Sequence, residues 1–443
     1  MNKIRNLKFF GLVCILAFAL VIIGFHFLQA QVKATGKPAP PPPPALPLLF
    51  SGDIITTESD ALSVWRYPSD VPIWTKKTES YYYNLVAVGD VDSDTRPEIV
   101  VPVVKPIGRK GTGFKIFIDV YNEGSGIPIS SENYSPGYFT DPSRVICNIT
   151  IANVIPEDGA QIQINEIVLQ HWYNLVIFKW DGTNFGIVKR IQARKTELPL
   201  LCLNGTTTKN FDTDQEEEVF VSGQMEYSGP GYIFEIDMKE DASYTLTPID
   251  STEDLAIDGN EMGIGHSLRV ADLDGDGDLE ICLPGLLEIR PADVSYWKAY
   301  LLVLDQGQWN STIIPGYEKE KNVNPHIDLD VGELDSTRDG EEITLYVNQQ
   351  KDSDYYLYIF YYPSNLFLIE YQLLYADSIN DIKIGNISGN KIAVCGTAPP
   401  LKGTILRKYF EVFEVAISSP SSLQSCWKVL GESGSITDLA IVN

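Results

Sequence analysis

The chain of 443 residues carries 34 basic against 59 acidic residues, a net charge of −25, with 44% hydrophobic and 11% aromatic residues. That apolar content supports a folded core and excludes wholesale disorder. The acidic excess excludes nucleic-acid binding, which needs a basic surface to displace phosphate counterions, and suits a protein that stays soluble outside the cell and collects cations.

Residues 1–30 open with Lys3, Arg5 and Lys8, followed by an apolar run from Phe9 to about Leu28. About 20 such residues span a bilayer core as a helix, more than the roughly 7–15 of a cleaved leader. A cut after Ala30 would put Leu28 where a small residue is wanted. The expectation is an uncleaved signal-anchor, single-pass, basic end in the cytoplasm and the remainder outside; a cleaved leader with secretion is the alternative. Residues 31–46 contain the run KPAPPPPPAL. It reads as a stiff polyproline II spacer holding the next domain off the membrane, or as a plain linker.

From residue 47 onward the chain repeats. The segments NLVAVGDVDSDTRPEIVVP from Asn84, TTTKNFDTDQEEEVFVSG from Thr206 and SLRVADLDGDGDLEICLPG from Ser267 share one pattern: a short strand, an acidic loop and a second apolar strand. Weaker copies place the first loop residue at Asp90, Asn153, Asn210, Asp272, Glu333, Asn386 and Asn443, between 53 and 63 residues apart. Between these anchors lie β-runs separated by turns rich in Asp, Gly or Asn, as in NLVIFKWDGTNFGIVKRIQ from Asn174, which is a hairpin signature. Four strands per unit at this period is the composition of a propeller blade. An all-β, seven-bladed β-propeller is therefore expected over 47–443. The chain stops after the first strand of the seventh copy, and the missing strands can be matched at the other end. PLLFSGD from Pro47 resembles a second strand, and ALSVWRYPSDVPIWTKKT from Ala61 resembles a third-and-fourth-strand hairpin. The last blade is thus expected to combine residues 435–442 with 47–77; a truncated sequence is the alternative.

Calcium takes six to eight oxygens from closely spaced carboxylates and a carbonyl on a tight turn. In DLDGDGDLE, Asp272, Asp274 and Asp276 can point inward, Asp278 can offer its carbonyl and Glu280 can close the cage, with Gly275 and Gly277 easing the turn. DVDSDTRPE repeats the spacing with Asp90, Asp92, Asp94, the Arg96 carbonyl and Glu98. NFDTDQEEE does so with Asn210, Asp212, Asp214, the Glu216 carbonyl and Glu218. ELDSTRDGEE, with Glu333, Asp335, Asp339 and Glu342, requires an altered loop. Three or four calcium sites are expected, and the loops at Asn153 and Asn386 read as metal-free turns.

These acidic loops at this period resemble the FG-GAP/VCBS repeats of integrin α-subunit propellers and related bacterial and archaeal surface proteins. The resemblance is looser in the segments that name the family, CGTAP at Cys395 being the nearest. It implies calcium in lower-face loops and, on the opposite face, adhesion to an extracellular protein or glycan.

Other features bear on alternatives. His266 and His326 precede their anchors by six and seven residues, so a secreted enzyme acting on polysaccharide at a channel mouth is the second reading. No phosphate loop, nucleophile elbow or HExxH sequence occurs. Cys147, Cys202, Cys282, Cys395 and Cys426 form no even disulfide set, and most of them read as small buried strand residues. The sequons at Asn133, Asn148, Asn204, Asn310 and Asn386 are compatible with export. Tyr81–Tyr83 and Tyr355–Tyr362 read as blade packing.

Overall fold

Short runs rich in apolar and β-branched residues form antiparallel strands, and the strands gather into seven sheets of four or five. The computed structural model describes residues 45–442, apart from residues 78–81, 84, 108–112, 125–127, 129–132, 135–145, 158–163, 194–197, 213, 226–229, 256–261, 290–295, 321–326, 350–353, 363–365, 374–375, 377, 401–404, 417–421 and 432–433. The expected anchor and most of the proline run, together with His326 and Asn443, lie outside the described residues. Among the described residues no helix is long and apolar enough to cross a membrane.

The second blade shows the plan. Ile146–Ala152, Glu166–His171, Asn174–Trp180 and Phe185–Gln192 pair in chain order, each antiparallel to the next. Blade three uses Cys202–Lys209, Glu218–Gln224, Gly231–Met238 and Tyr244–Ser251. Blade five uses Ile327–Gly332, Glu342–Gln349, Asp354–Tyr361 and Leu366–Gln372, and blade six uses Ser378–Asn386, Asn390–Ala398, Arg407–Ala416 and Ser422–Leu430. In blades one and four the inner strand is broken in two, as Tyr82–Tyr83 with Ala87–Gly89 and Met262–Ile264 with Arg269–Ala271. Their second and third strands are Glu98–Ile107 with Gly113–Tyr121 and Glu280–Ile289 with Tyr296–Asp305.

The seventh sheet draws on both ends of the described chain. Ile436–Ile441 lies antiparallel to Ile54–Glu58, with Ile54 opposite Ile441, and Ala61–Trp65 and Trp74–Lys77 complete it. The sequence match at Pro47 is out of register by six residues: Asp53 takes the place of the entering glutamate, the second strand begins at Ile54, and residues 47–53 are not strand. Asp53 sets that boundary, because it stands where other blades have a glutamate entering the second strand and it binds the Arg66 guanidinium at 2.7 and 2.6 Å.

Inner strands touch their neighbours in cyclic order, with the seventh contacting the first, so the seven sheets form a propeller ring. The core is divided among the gaps between blades. One cluster joins blades one and two through Val100, Ile116, Ile167 and Phe178. Another joins blades seven and one through Ile55, Leu62, Trp74, Val101 and Tyr121. Fully burying each such side chain stabilises by about 1.5–3 kcal/mol. Tyr83, Tyr355, Tyr358 and Tyr362 are all buried in this packing. So are Cys202, Cys282 and Cys395. Asn204 is buried, its amide donating to the Ile264 carbonyl, and Asn148 donates to the Thr206 carbonyl. These two sequons are therefore inter-blade ties, which removes them as support for glycosylation.

Three aspartates that the sequence pattern did not single out do the same work on the inner strands. Asp330 accepts from the Ile384 amide at 2.8 Å, Asp381 from Leu439 at 3.1 Å and Asp438 from Val86 at 2.7 Å. Each side chain thus grips the backbone of the next blade. The signal was present in sequence, since Asp381 and Asp438 each lie five residues before an anchor.

Candidate metal centres

Each candidate loop connects the inner strand of a blade to its second strand, and its conformation is set by carboxylates binding backbone amides. In blade four, Asp272 accepts from Gly275 at 2.7 Å and Gly277 at 3.2 Å, Asp274 from Asp276 at 3.2 Å and Asp276 from Asp278 at 2.8 Å. Blade one repeats the pattern. Asp90 accepts from Ser93 at 2.7 Å and Thr95 at 2.8 Å, Asp92 from Asp94 at 3.2 Å and Asp94 from Arg96 at 2.9 Å. Blade three keeps the parts that are described, with Asp214 donating to Asp212 at 2.8 Å and Glu216 to Asp214 at 3.0 Å. Local bonds of this kind turn the chain tightly and leave the remaining oxygens facing one another.

Three groups of carboxylates converge, with one oxygen from each residue lying within 4.8 Å of the others. They are Asp90, Asp92 and Asp94; Asp212, Asp214 and Glu218; and Asp272, Asp274 and Asp276. Asn210, the first residue of the second loop, donates its side-chain amide to the Asp214 carbonyl at 2.7 Å. Arg96 points its guanidinium away to Glu123 at 2.6 Å, which leaves only its carbonyl for a cation. Asp278 and Glu216 lie in turns at the carbonyl position.

The glutamate entering the second strand has a firm structural role. Glu98, Glu218 and Glu280 are buried and accept from Val91 at 3.0 Å, Phe211 at 2.6 Å and Leu273 at 2.7 Å. Burial, reinforced by the neighbouring aspartates, pushes their carboxyls up to about 8, 6 and 7. Burial also raises Asp92 and Asp274, with the adjacent acids adding to the effect. Burial and closely spaced like charges both disfavour the ionised carboxylate.

The fourth loop differs. Among the described residues Glu333, Asp335, Asp339 and Glu342 do not form a converging group. Asp335 instead accepts from its own loop's Arg338 at 2.9 Å, while Glu342 accepts from Leu334 at 2.9 Å. The extra residue in this loop moves Arg338 into position to neutralise Asp335. In the loop at Asn153, Glu166 accepts from Val154 at 3.0 Å, and Lys179 bridges Glu157 at 2.7 Å and Glu166 at 2.9 Å. The loop at Asn386 is a short turn closed by Asn386 accepting from Gly389 at 3.0 Å.

His266 is exposed and belongs to none of the converging groups among the described residues. His171 ends a buried strand and is held by contacts to Asn174 and Tyr173, a structural place.

Neither a protein-family profile nor a curated protein matches the sequence. Among solved structures the chain is similar to the β-propeller domain of Vanderwaltozyma polyspora Nup133. Identity is 11% and the TM-score 0.46, over 79% of this chain and 90% of that one. It is also similar to the Dos1 propeller, at 8% identity and a TM-score of 0.42, over 86% of this chain and 90% of that one. Likenesses this distant carry no argument about function.

Proposed function

We propose that the chain is a calcium-stabilised β-propeller of the FG-GAP/VCBS, integrin-like kind, held at the cell surface by residues 1–30 and binding an extracellular protein or glycan through the face opposite its acidic loops. The observation that carries this reading is the convergence of three carboxylate triads at the same place in blades one, three and four. Each loop also has a backbone carbonyl at its seventh position, and in blades one and four the glutamate two residues later can close the cage as Glu218 does within the blade-three triad, which is the hard-oxygen donor set calcium prefers. Zinc would want histidine or thiolate, and neither is in the triads.

The cages are shallow, since Asp94, Asp276, Asp212 and Asp214 are exposed. Such sites fit the weak affinities, about 10⁻⁴–10⁻³ M, of modules bathed in extracellular calcium. That agrees with the basic-then-apolar N-terminus and the proline spacer. Bound calcium would act chiefly by stabilising the folded loops over the unfolded chain. The broad ring surface would then be free to present ligand-binding loops.

The test is a thermal melt of the full chain in millimolar calcium and in excess chelator. A midpoint several degrees higher with calcium than with magnesium alone is expected; coincident midpoints sink the calcium reading. Arrays of glycans and matrix proteins probed with the full chain test the binding role, and loss of every hit on chelation is the expected signature.

A further inference from the structure

The residue that enters the second strand faces a partner on the third strand, and this pair differs among blades in a regular way. The register that pairs Ile167 with Phe178 sets Glu166 opposite Lys179, whose ammonium lies 2.9 Å from it. In blade six Lys391 pairs with Glu414, 3.7 Å apart. In blade seven the register through Ile54 and Trp65 sets Asp53 opposite Arg66, with a contact of 2.6 Å. In blade five Glu342 faces Tyr361, and Arg338 supplies the cation: it binds Asp335 at 2.9 Å while its guanidinium lies 4.7 Å from the Tyr361 ring centre. Blades two, six and seven therefore hold a lysine or arginine in the pair itself, and blade five places Arg338 beside it.

In the remaining three blades the residue directly opposite the entering glutamate is an asparagine or an aspartate. Registers through Ile99 and Tyr121, Val219 and Ile236, and Ile281 and Leu304 set Glu98 opposite Asn122, Glu218 opposite Asp237 and Glu280 opposite Asp305. These are the same three blades whose loops gather a carboxylate triad. In blade one the Asn122 amide nitrogen donates to Asp92 at 3.2 Å, and its carbonyl oxygen is buried with no hydrogen-bond partner. In blade four the Tyr362 hydroxyl donates to Asp305 at 2.6 Å and fixes its orientation. In blade three the exposed Lys239, two residues further along the chain, also reaches Asp237.

We propose that Asn122, Asp237 and Asp305 are further metal-ligating residues, and that this cross-strand pair decides whether a blade takes a divalent cation or carries a built-in ammonium or guanidinium in its place. The inference rests on the calcium reading above and sharpens it to three sites, in blades one, three and four. Lys179 is the stand-in that marks the cation's place. It bridges a loop acid and the closing glutamate, as a metal ion between loop and strand would.

The test counts calcium bound to the full chain by equilibrium dialysis, for the parent and for Asp305→Lys. The parent should bind three ions and the variant two, with a smaller rise in melting midpoint on adding calcium. If circular dichroism shows that Asp305→Lys does not fold, Asp305→Asn replaces it, and one of the three sites should weaken by about tenfold or more. Three ions of unchanged affinity in the variant overturn the inference and leave the calcium reading standing. No bound calcium in the parent overturns both.

Discussion

Glu98, Glu166, Glu218, Glu280 and Glu342 recur at one place in five blades, each buried and each receiving a backbone amide from the loop that precedes it. Removing such an acceptor strands a buried donor. Glu342→Ala should therefore lower stability by about 1–3 kcal/mol. Because its blade carries Arg338, the loss should be equal in calcium and in chelator, as read by urea titration in each. His171 is a second case. It is fully buried, and burial, aided by Arg190, brings its imidazole down to about 4. Between that value and its ordinary 6.5, the unfolded chain holds one more proton than the folded chain, so stability is lost as pH falls through this window. The loss reaches about 3 kcal/mol below it. His171→Gln should flatten that part of the pH–stability profile relative to the parent, and an unchanged slope would exclude the mechanism.

Within an element, the loop of blade one achieves with ordinary residues what blade four does with glycines. Ser93 and Thr95 have φ of 66° and 71°, matching Gly275 and Gly277 at 78° and 93°. A side chain in the left-handed region is strained by roughly 1–2 kcal/mol, more so for the β-branched threonine. Thr95→Gly should therefore leave calcium binding intact and raise the melting midpoint by a degree or two at most, since glycine gives back part of the gain in unfolded-state entropy. Neighbouring loops also support one another. The Glu341 amide donates to the Asp272 carbonyl at 2.9 Å and that of Glu217 to the Asn153 carbonyl at 2.7 Å. Gly340, at φ +90°, lies so close that a Cβ would sit 2.4 Å from the Leu273 carbonyl oxygen. Gly340→Ala should lower stability by about 2 kcal/mol or more and, by displacing the blade-four loop, weaken calcium binding there. Dialysis of this variant separates the two effects.

Across the whole molecule, the seventh blade is the place where the ring can open. Its inner strand contributes buried Ile436, Leu439, Ala440, Ile441 and Val442, and it is bonded to the N-terminal side through the Val442 amide to Asp53 at 2.9 Å and the Gly52 amide to Val442 at 2.7 Å. At about 2 kcal/mol for each large apolar side chain, losing this strand removes on the order of 8 kcal/mol, comparable with the entire net stability of an ordinary domain. Deletion of residues 436–443 should therefore abolish the cooperative melt seen by calorimetry; a sharp transition near the parent midpoint would mean that the other six blades hold without it. Open edges left by the deletion should also promote aggregation.

Periodicity was legible in the chain because each blade needs the same alternation and the same acidic turn, so the repeat and the three triads could be read from spacing alone. The register at residues 47–54 could not be read this way. Apolar PLLFSGD matches a strand locally, and only the Asp53–Arg66 pair and the partner strand at 436–441 establish where pairing starts. The fate of the fourth acidic loop was equally hidden: its carboxylates satisfy a spacing rule, but one inserted residue lets Arg338 reach Asp335. Spacing along a chain records which groups are present. Whether an acid meets a metal ion, a lysine or a neighbouring blade's amide depends on residues tens of positions away, which only the closed packing of the sheets brings within reach.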